Sequence, residues 1–357
     1  MTTIREGGKD KAAGWDGLNC DIVRLLTEDS SETPTPFLSM LTEFINVALA
    51  TGQTPYSWRK AIITMIPKKK EDGSVSKEVQ EMRPISVLQE FGKIASKLLA
   101  NRLGKILLQN PHVMSPSQRA FLKDGSTSQC LNIVLNVLED FKEKHKLNSK
   151  STLFLLAYDQ EKAYDSVQEY TIRASLERFN FPELFISFVL CNLHQASSCF
   201  KTFYGPTREF QVETSVRQGD PLSPLVYICI TDALHSGIQW NPIFKTQTGY
   251  KFSNDPALVV SSCGYADLIT FAETWRDKAK CRYIISDWRD NDARWLPSVD
   301  GLAKILPQPP STQFRYLGLW LSMSLDWSKQ IQTLNRFVME KAHMLRKWMP
   351  PNSKLQW

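Results

Sequence analysis

Four short segments follow one another in a fixed order along the chain, and they constrain its fold more than any other feature. They are MRPIS (Met82–Ser86), YDQEKAYDSV (Tyr158–Val167), VRQGDPLSP (Val216–Pro224) and GYADLITFAE (Gly264–Glu273). In the second and the fourth, a single aspartate, Asp159 or Asp267, ends an apolar, β-like run. If these runs form neighbouring strands, both carboxylates lie at one edge of a sheet.

Two carboxylates at one sheet edge suit a site for divalent metal ions, as in a polymerase palm. Nucleotidyl transfer needs one ion to activate the attacking 3′-hydroxyl and another to stabilise the leaving pyrophosphate, and the two ions lie about 3.5–4 Å apart. Magnesium prefers oxygen ligands. A lone aspartate at a strand end is usually a turn residue or a cap. We expect such a structural or capping role for Asp165, which precedes a predicted helix.

The distribution of charge along the chain makes a polyanion a candidate partner but does not identify which polyanion. The chain has 357 residues and a formal charge of +6. That excess falls in residues 59–105, and the remainder sums to zero. A basic segment on a neutral body suits nucleic acid or a triphosphate, although a solvated basic face fits equally well. The seven scattered cysteines predict neither a disulfide framework nor a zinc knuckle, and no apolar run predicts a membrane span or a secretory signal.

The pattern of apolar residues predicts helices and strands in irregular alternation. LTEFINVAL, the stretch from Leu88 to Leu108, and YTIRASLERF have helical spacing, whereas KAIITMIPKK and TLFLLAYD are strand-like. CFKTFYGPTREFQV predicts a hairpin that turns at Gly205–Pro206, and Asp220 is placed to cap a helix that begins at Pro221. This alternation favours an α+β fold with helices on one face of an antiparallel sheet.

These segments resemble the reverse transcriptases of non-LTR (LINE-type) retrotransposons. The likeness covers most of residues 11–275 and resumes at about 313–325. AYDQEKAYDSV is similar to polymerase motif A, SVRQGDPLSPLVY to motif B, GYADLITFAET to motif C and FRYLGLWLS to the primer-grip hairpin. SQRAFLKDGSTSQ resembles the Q-x-G-F segment, with Ala120 where glycine is usual. RQGDPLSP is the most specific of these matches.

The resemblance implies roles for individual residues. Asp159 and Asp267 match the catalytic, metal-binding aspartates. Tyr164 matches the aromatic steric gate that excludes a ribose 2′-hydroxyl, and Gln218 and Gly219 match the turn beside the incoming nucleotide. The remaining matches are basic fingers residues that would contact the triphosphate (Lys68, Arg83), residues that would contact nucleic acid (Lys69, Lys70, Arg217) and the primer grip (Tyr316, Leu317, Gly318).

The same resemblance implies a right-hand polymerase with fingers and palm but little or no thumb. The implied cofactor is Mg²⁺ or Mn²⁺, and the implied partners are an RNA template, a DNA primer and dNTPs, with no membrane. An intracellular location follows, with the nucleus as one candidate compartment. The expected divisions are a helical extension (1–58), fingers (59–150), a palm (151–275), a degenerate connecting segment (276–312) and a primer-grip-like hairpin with the start of a thumb (313–357).

Two departures from the family pattern leave the activity open. Motif C usually reads Y-A-D-D-L, but here Leu268 directly follows Asp267. Deleting one residue at a hairpin turns the side chains of the return strand to opposite faces. The second departure lies between Phe271 and Phe314, where the sequence does not match the helix and lysine-bearing strand that are usual in the family, and where GLAKIL is a candidate remnant. The function is therefore either RNA-directed DNA polymerisation or, alternatively, an inactive remnant that at most binds nucleic acid; a poorly folded pseudogene product is a third possibility.

Overall fold

A computed structural model describes most of the chain. The described residues are 2–6, 11–28, 34–68, 74–76, 78–122, 125–147, 151–158, 162–193, 195–240, 249–265, 267–275, 294–298, 301–305, 314–316, 319–321, 327–336 and 339. They form two compact units. The first comprises residues 1–125, 158–240 and 266–268, and the second comprises 126–157, 241–265 and 269–357. These units do not follow the divisions expected from the sequence, which stay a prediction.

Helices dominate the first unit. In chain order the helices include α1 (Thr2–Arg5), α2 (Cys20–Thr27), α3 (Pro36–Thr51), α4 (Tyr56–Arg59), α5 (Glu90–Gln109), α6 (Thr127–Leu147), α7 (Glu169–Arg178), α8 (Glu183–Leu193) and α9 (Ser223–Trp240). Of these, α6 belongs to the second unit and the others to the first. The helical segments predicted from apolar spacing are confirmed as α3, α5 and α7.

Local sequence explains where α3 begins and ends. The Thr35 hydroxyl accepts a hydrogen bond from the Leu38 amide at 3.1 Å, and Pro36 occupies the first turn, where its missing N–H costs nothing. The helix ends at Gly52, which has a φ of +67°. A Cβ at Gly52 would also lie 2.9 Å from Cβ of Ser187 in α8. This glycine therefore both ends the helix and permits the close approach of α8.

The strands are short and form several sheets. They are β1 (Lys60–Pro67), β2 (Met82–Leu88), β3 (Ser151–Tyr158), β4 (Ala196–Thr202), β5 (Gly205–Pro206), β6 (Phe210–Val212), β7 (Tyr250–Lys251), β8 (Val259–Val260), β9 (Ser262–Tyr265), β10 (Asp267–Trp275), β11 (Arg294–Ser298), β12 (Gly301–Ile305), β13 (Phe314–Tyr316) and β14 (Leu319–Leu321). A single-turn 3-10 helix at Val79–Glu81 precedes β2.

The sheet of the first unit is mixed. Its strand order is β2-β1-β4-β5, and β6 pairs with β4. β1 and β2 are antiparallel, with Ala61 opposite Leu88 and Pro67 opposite Met82. β1 and β4 are parallel, with Lys60 opposite Ser197. An antiparallel hairpin alone would leave one edge of β1 open, and the parallel partner fills that edge.

The second unit has its own core around α6. Buried residues of α6 pack with Leu153 of β3, Tyr250 of β7 and Cys263 of β9. The Tyr250 hydroxyl donates to Oδ2 of Asp140 at 2.5 Å, so the polar end of this buried ring is satisfied. The sheet order here is β3-β10-β9, with α6 packed against it. Helices and strands therefore alternate irregularly in both units, and the α+β prediction is confirmed.

Two hairpins follow in the rest of the second unit. β11 pairs with β12, so the GLAKI stretch is a strand, and β13 pairs with β14 in the FRYLGLWL stretch. The primer-grip-like segment is thus a hairpin, as expected. Tyr316 lies opposite Leu319 at its end, whereas Leu317 and Gly318 lie outside the described residues.

Two local predictions were wrong by a few residues. The hairpin after β4 turns at Phe203–Tyr204, because Thr202 pairs with Gly205 and Lys201 pairs with Pro206. The last long helix begins at Ser223 and not at Pro221, because the Asp220 side chain first closes a turn onto the Leu222 amide at 2.8 Å. In the described part of the chain, no helix combines the length and apolar character needed to cross a membrane.

Candidate functional site

The motif A turn and the start of motif B run side by side in the first unit. The Val216 amide donates to the Tyr164 carbonyl at 2.9 Å, and the Ser215 amide donates to the Val167 carbonyl at 3.0 Å. Val216 and Val167 are both buried. These two main-chain bonds join segments that the sequence only places in order, and they fix the position of Tyr164 relative to motif B.

The ring of Tyr164 is held against α9. Its centroid lies 4.8 Å from that of Tyr227, with a 40° angle between the ring planes, and Tyr227 is 2% exposed. Burial raises the pKa of Tyr164 to about 12, so its hydroxyl is neutral at physiological pH. A tyrosine supported from behind by a second buried ring has little freedom to move. That rigidity suits a residue that selects by shape, although core packing alone explains the contact equally well.

Asp165 does not cap the helix that follows it. The residue at the N-cap of α7 is Gln168, which makes no side-chain cap hydrogen bond. Asp165 is half-buried, and burial raises the pKa of its carboxyl group while Lys162 lowers it. Its carbonyl accepts a hydrogen bond from the Thr214 hydroxyl at 3.0 Å. The predicted capping role is therefore wrong, and the contact through its carbonyl is structural.

The motif B turn is fastened to β2, which contains the MRPIS segment. The Ser86 amide donates to the Gln218 carbonyl at 2.7 Å. Gly219 has a φ of +122°, and a Cβ placed on it would lie 2.3 Å from the Ser86 carbonyl oxygen. No side chain fits there without moving β2, and an L-residue would also be strained in that conformation. The glycine is thus required by a contact between two motifs.

Asp220 anchors the far side of the same turn. It is 3% exposed, and its Oδ2 accepts hydrogen bonds from the Ser96 hydroxyl at 3.2 Å and the Asn192 amide at 3.0 Å. Burial raises the pKa of this carboxyl group, and the hydrogen bonds and Arg217 oppose that rise. Through these bonds, motif B is tied to both α5 and α8.

Arg217 lies inside the first unit and not on its surface. It is 2% exposed, and its Nη2 donates to the carbonyl of Arg59. The Nε and Nη1 atoms are buried without a hydrogen-bond partner. Burial lowers the pKa of the guanidinium to about 10, which still leaves it charged at neutral pH. At this position the Arg217 side chain presents almost no surface to solvent. Its contact with nucleic acid therefore stays a prediction.

The predicted fingers cations lie near one end of the β1–β2 pair. Arg83 is opposite Ile66, and the Lys68 amide donates to the Glu81 carbonyl at 3.1 Å, so the two basic residues are two rungs apart. Both side chains are exposed. Such a pair is accessible to an anion, and the planar guanidinium suits a bidentate contact with phosphate. Lys69 and Lys70 lie outside the described residues.

A buried polar network in α9 was missed by the sequence analysis. Asp232 is fully buried, and its carboxylate accepts from the Ser115 amide at 2.7 Å and from Arg178 at 2.9 Å. His235, 1% exposed, pairs through Nδ1 with the Ser117 hydroxyl at 3.1 Å. The network holds the loop that begins the Q-x-G-F-like segment against α9. An aspartate and a histidine three residues apart in an apolar helix were its only sequence signal.

His235 gives the first unit a predicted pH dependence. Burial lowers the pKa of its imidazole to about 4, while Asp232 opposes that shift. The unfolded imidazole binds a proton near pH 6.5, so protonation favours unfolding between pH 6.5 and 4. Over that window we expect the free energy of unfolding to decrease by up to about 3 kcal/mol as the pH falls. Urea titrations of the parent and of His235→Asn check this, and parallel pH profiles would contradict it.

The two candidate metal-binding aspartates are placed only through their strands. β10 begins at Asp267 and is the neighbour of β3, which ends at Tyr158. Asp159 itself, and the side chain of Asp267, lie outside what the structure describes. Within the residues that are described, no group of three His, Cys, Asp or Glu side chains is arranged to hold a metal ion. The side chains of the predicted pair, Asp159 and Asp267, are not among those residues.

Comparison with known proteins identifies the family. The model of the family described as reverse transcriptase (RNA-dependent DNA polymerase) matches residues 66–321. The chain is 27% identical to a Pol polyprotein from retrotransposable element R2DM of Drosophila melanogaster over 66% of this chain and 20% of that protein. It is 23% identical to the RNA-directed DNA polymerase of the mobile element jockey from the same organism, over 97% of this chain and 37% of that protein.

Other similarities are weaker or less informative. The chain is 25% identical to an uncharacterized 149 kDa protein of transposon TX1 from Xenopus laevis, over 88% of this chain and 23% of that protein. Among solved structures, telomerase from Candida Tropicalis in complex with a fragment of telomeric RNA is 15% identical, with a TM-score of 0.45, over 87% of this chain and 52% of that chain.

The chain spans between a fifth and two fifths of the length of the curated relatives named here. Because the family model matches well over half of its length, this chain belongs to the reverse transcriptase (RNA-dependent DNA polymerase) family, and the resemblance to non-LTR retrotransposon enzymes is confirmed.

Proposed function

We propose that this chain is the polymerase region of a non-LTR retroelement and extends a primer 3′-end with dNTPs on an RNA template. The observation that carries the proposal is the joining of three motif segments by main-chain hydrogen bonds. The Val216 amide of motif B donates to the Tyr164 carbonyl of motif A. The Ser86 amide of the fingers segment donates to the Gln218 carbonyl of motif B. A nucleotide site of this family requires these segments together.

The proposed chemistry rests on Asp159 and Asp267. Their carboxylate oxygens are the hard donors that Mg²⁺ or Mn²⁺ prefers. The bound ions would supply activation of the 3′-hydroxyl and stabilisation of the pyrophosphate leaving group. The adjacency of β3 and β10, one ending next to Asp159 and the other beginning at Asp267, supports the pairing of the two carboxylates.

Residues of the first unit would bind and orient the nucleotide. Lys68 and Arg83, both exposed, would neutralise the triphosphate. Gln218 and Gly219 would line the turn beside the base, and Tyr164 would lie against the sugar. The proposed primer grip is the hairpin containing Tyr316, Leu317 and Gly318.

One observation favours a second candidate, an inactive remnant that binds nucleic acid without extending it. Motif C has a single aspartate, because Leu268 directly follows Asp267. The assay that separates the two candidates is primer extension on an RNA template with Mg²⁺ or Mn²⁺, alongside binding to the same primer–template at several salt concentrations. Extension supports the polymerase, whereas salt-sensitive binding without extension supports the remnant.

The proposed steric gate makes a separate prediction. Replacing Tyr164 by alanine removes the ring that would meet a ribose 2′-hydroxyl, so we expect discrimination between dNTP and rNTP to fall by about 10–100-fold. Tyr164→Phe keeps the ring and should keep the discrimination. Single-nucleotide insertion kinetics with dNTP and rNTP measure the ratio of kcat/KM. An unchanged ratio together with a lower free energy of unfolding would leave Tyr164 as a packing residue against Tyr227.

A further inference from the structure

The hairpin between β4 and β5 presents two aromatic side chains at its tip. Phe203 is 97% exposed and Tyr204 is 96% exposed. Their rings contact each other edge to face, with centroids 5.5 Å apart. Single exposed aromatic residues are ordinary on a protein surface. Two adjacent ones at a projecting turn, with almost their entire surface in solvent, require a separate explanation.

The turn itself does not need these two residues. The Thr202 hydroxyl donates to the Gly205 carbonyl at 2.6 Å, and the Tyr204 amide donates to that hydroxyl at 3.2 Å. Gly205 has a φ of +113°. Gly205 therefore supplies the positive φ of the turn, whereas neither Phe203 nor Tyr204 has a positive φ. The side chains of Phe203 and Tyr204 take no part in these hydrogen bonds, so the turn does not depend on aromatic residues at these positions.

The stem below the tip is held together by a ring contact and by hydrogen bonds. Phe200 and Phe210 stack with centroids 5.3 Å apart. Phe200 and Thr207 exchange two hydrogen bonds, one from each amide, both at 3.0 Å. These contacts restrict the movement of the stem, and a restricted binding surface loses less entropy when it binds.

The charge beside the tip is positive. Lys201 and Arg208 are exposed on the two sides of the hairpin. The neighbouring acid, Glu209, forms an ion pair with Lys60 at 2.6 Å, and that contact lowers the pKa of its carboxyl group. The acid is therefore compensated, and the two cations beside the rings remain available to a polyanion.

We propose that this hairpin tip is a stacking platform for unpaired bases of a single-stranded nucleic acid. Phe203 and Tyr204 would stack on bases, and Lys201 and Arg208 would contact the flanking phosphates. Aromatic residues beside a basic strip are the chemistry that recognises single strands without sequence preference. The idea takes from the proposed function only that the chain binds nucleic acid, because stacking here requires no metal ion, primer or dNTP.

A protein partner fits the tip less well. Stable protein interfaces bury about 1,200–2,000 Å² in total and have an apolar centre surrounded by a polar rim. The described tip presents two aromatic rings flanked by charged side chains. The next aromatic residues, Phe200 and Phe210, already stack on each other and do not extend that surface. Two rings suffice for one or two bases but not for the centre of a protein interface.

The test is fluorescence anisotropy with labelled U20, dT20 and a duplex of the same length, all in EDTA. The double variant Phe203→Leu, Tyr204→Leu keeps apolar volume but removes both π faces. We expect it to bind the single strands at least about tenfold more weakly, because each stacked base contributes about fivefold or more. The double variant Phe203→Trp, Tyr204→Trp should bind as tightly as the parent. Tyr170→Leu is the matched control, since Tyr170 is 73% exposed on α7 of the same unit.

Several outcomes would overturn the proposal. In the first, the parent binds neither single strand, and in the second, the leucine variant binds the single strands as tightly as the parent does. A third such outcome is that the leucine variant loses as much affinity for the duplex as it loses for the single strands. Self-association of the parent that the leucine variant lacks, measured by sedimentation velocity, would instead identify a second copy of the chain as the occupant. Equal urea midpoints should show that the fold is unaffected. The proposed polymerase is tested by extension, so its failure would leave these binding results intact.

Discussion

Replacing Asp159 by alanine is expected to abolish primer extension while the chain stays folded. A carboxylate that holds a catalytic ion contributes several kcal/mol to transition-state stabilisation, and about 4 kcal/mol corresponds to about a 10³-fold loss in rate. The measurement is extension of a labelled primer on RNA with Mg²⁺ or Mn²⁺, with protein in excess. Undiminished extension by Asp159→Ala would show that the activity does not depend on motif A.

The control for Asp159→Ala is Asp165→Ala, six residues further along the same segment. The contact of Asp165 with Thr214 runs through its carbonyl, which alanine retains. We expect this variant to keep most of its extension activity. Comparable losses in the two variants would indicate damage to the motif A turn and not removal of a metal ligand.

An insertion separates a silenced enzyme from a remnant. One aspartate added after Asp267 restores the family spacing of motif C. Extension by the parent would show that the shortened motif works, and extension only by the insertion variant would show that the missing residue silenced a sound scaffold. If parent and insertion variant are both folded and both silent, the polymerase proposal is wrong for this chain.

Replacing Gly219 by alanine is expected to lower the stability of the first unit. The new methyl group would lie 2.3 Å from the Ser86 carbonyl oxygen, and the backbone angle of +122° is itself unfavourable for alanine. Together these effects are expected to lower the free energy of unfolding by about 2–4 kcal/mol. β2 and the motif B turn would have to separate, so extension should fall as well. Urea unfolding of both proteins measures the difference.

Two other glycines provide controls that separate the steric contact with Ser86 from the strain of the backbone angle. Gly17 has a φ of +69°, but a Cβ added to it would meet no atom within 4 Å, so Gly17→Ala tests backbone strain alone. Gly104 lies within α5 and also has open space, so Gly104→Ala should be neutral or stabilising by about 0.5–1 kcal/mol. If Gly219→Ala costs no more than Gly17→Ala, contact with Ser86 does not explain the requirement for glycine.

Local pattern predicted most of the elements but not their exact ends. The apolar segment KAIITMIP forms β1. The segment LTEFINVAL, which has helical spacing, forms part of α3, and that helix ends at Gly52. The hairpin turn was placed two residues late because Gly205–Pro206 is the stronger turn signal in sequence. Phe203 and Tyr204 occupy the actual turn, where the Thr202 hydroxyl supplies the bonds that turn residues usually provide.

The sequence by itself determined the family, the order of the motifs and the α+β class, because periodicity, turn residues and motif spacing are local properties. Only the tertiary structure decided which distant groups meet. It paired β1 in parallel with β4, fastened Gln218 to Ser86 and buried Asp232 and His235 beneath the loop at Ser115. Each of these contacts satisfies a buried polar group or an open strand edge with a partner far away in sequence. Such partners depend on how the elements pack, and no local pattern specifies them.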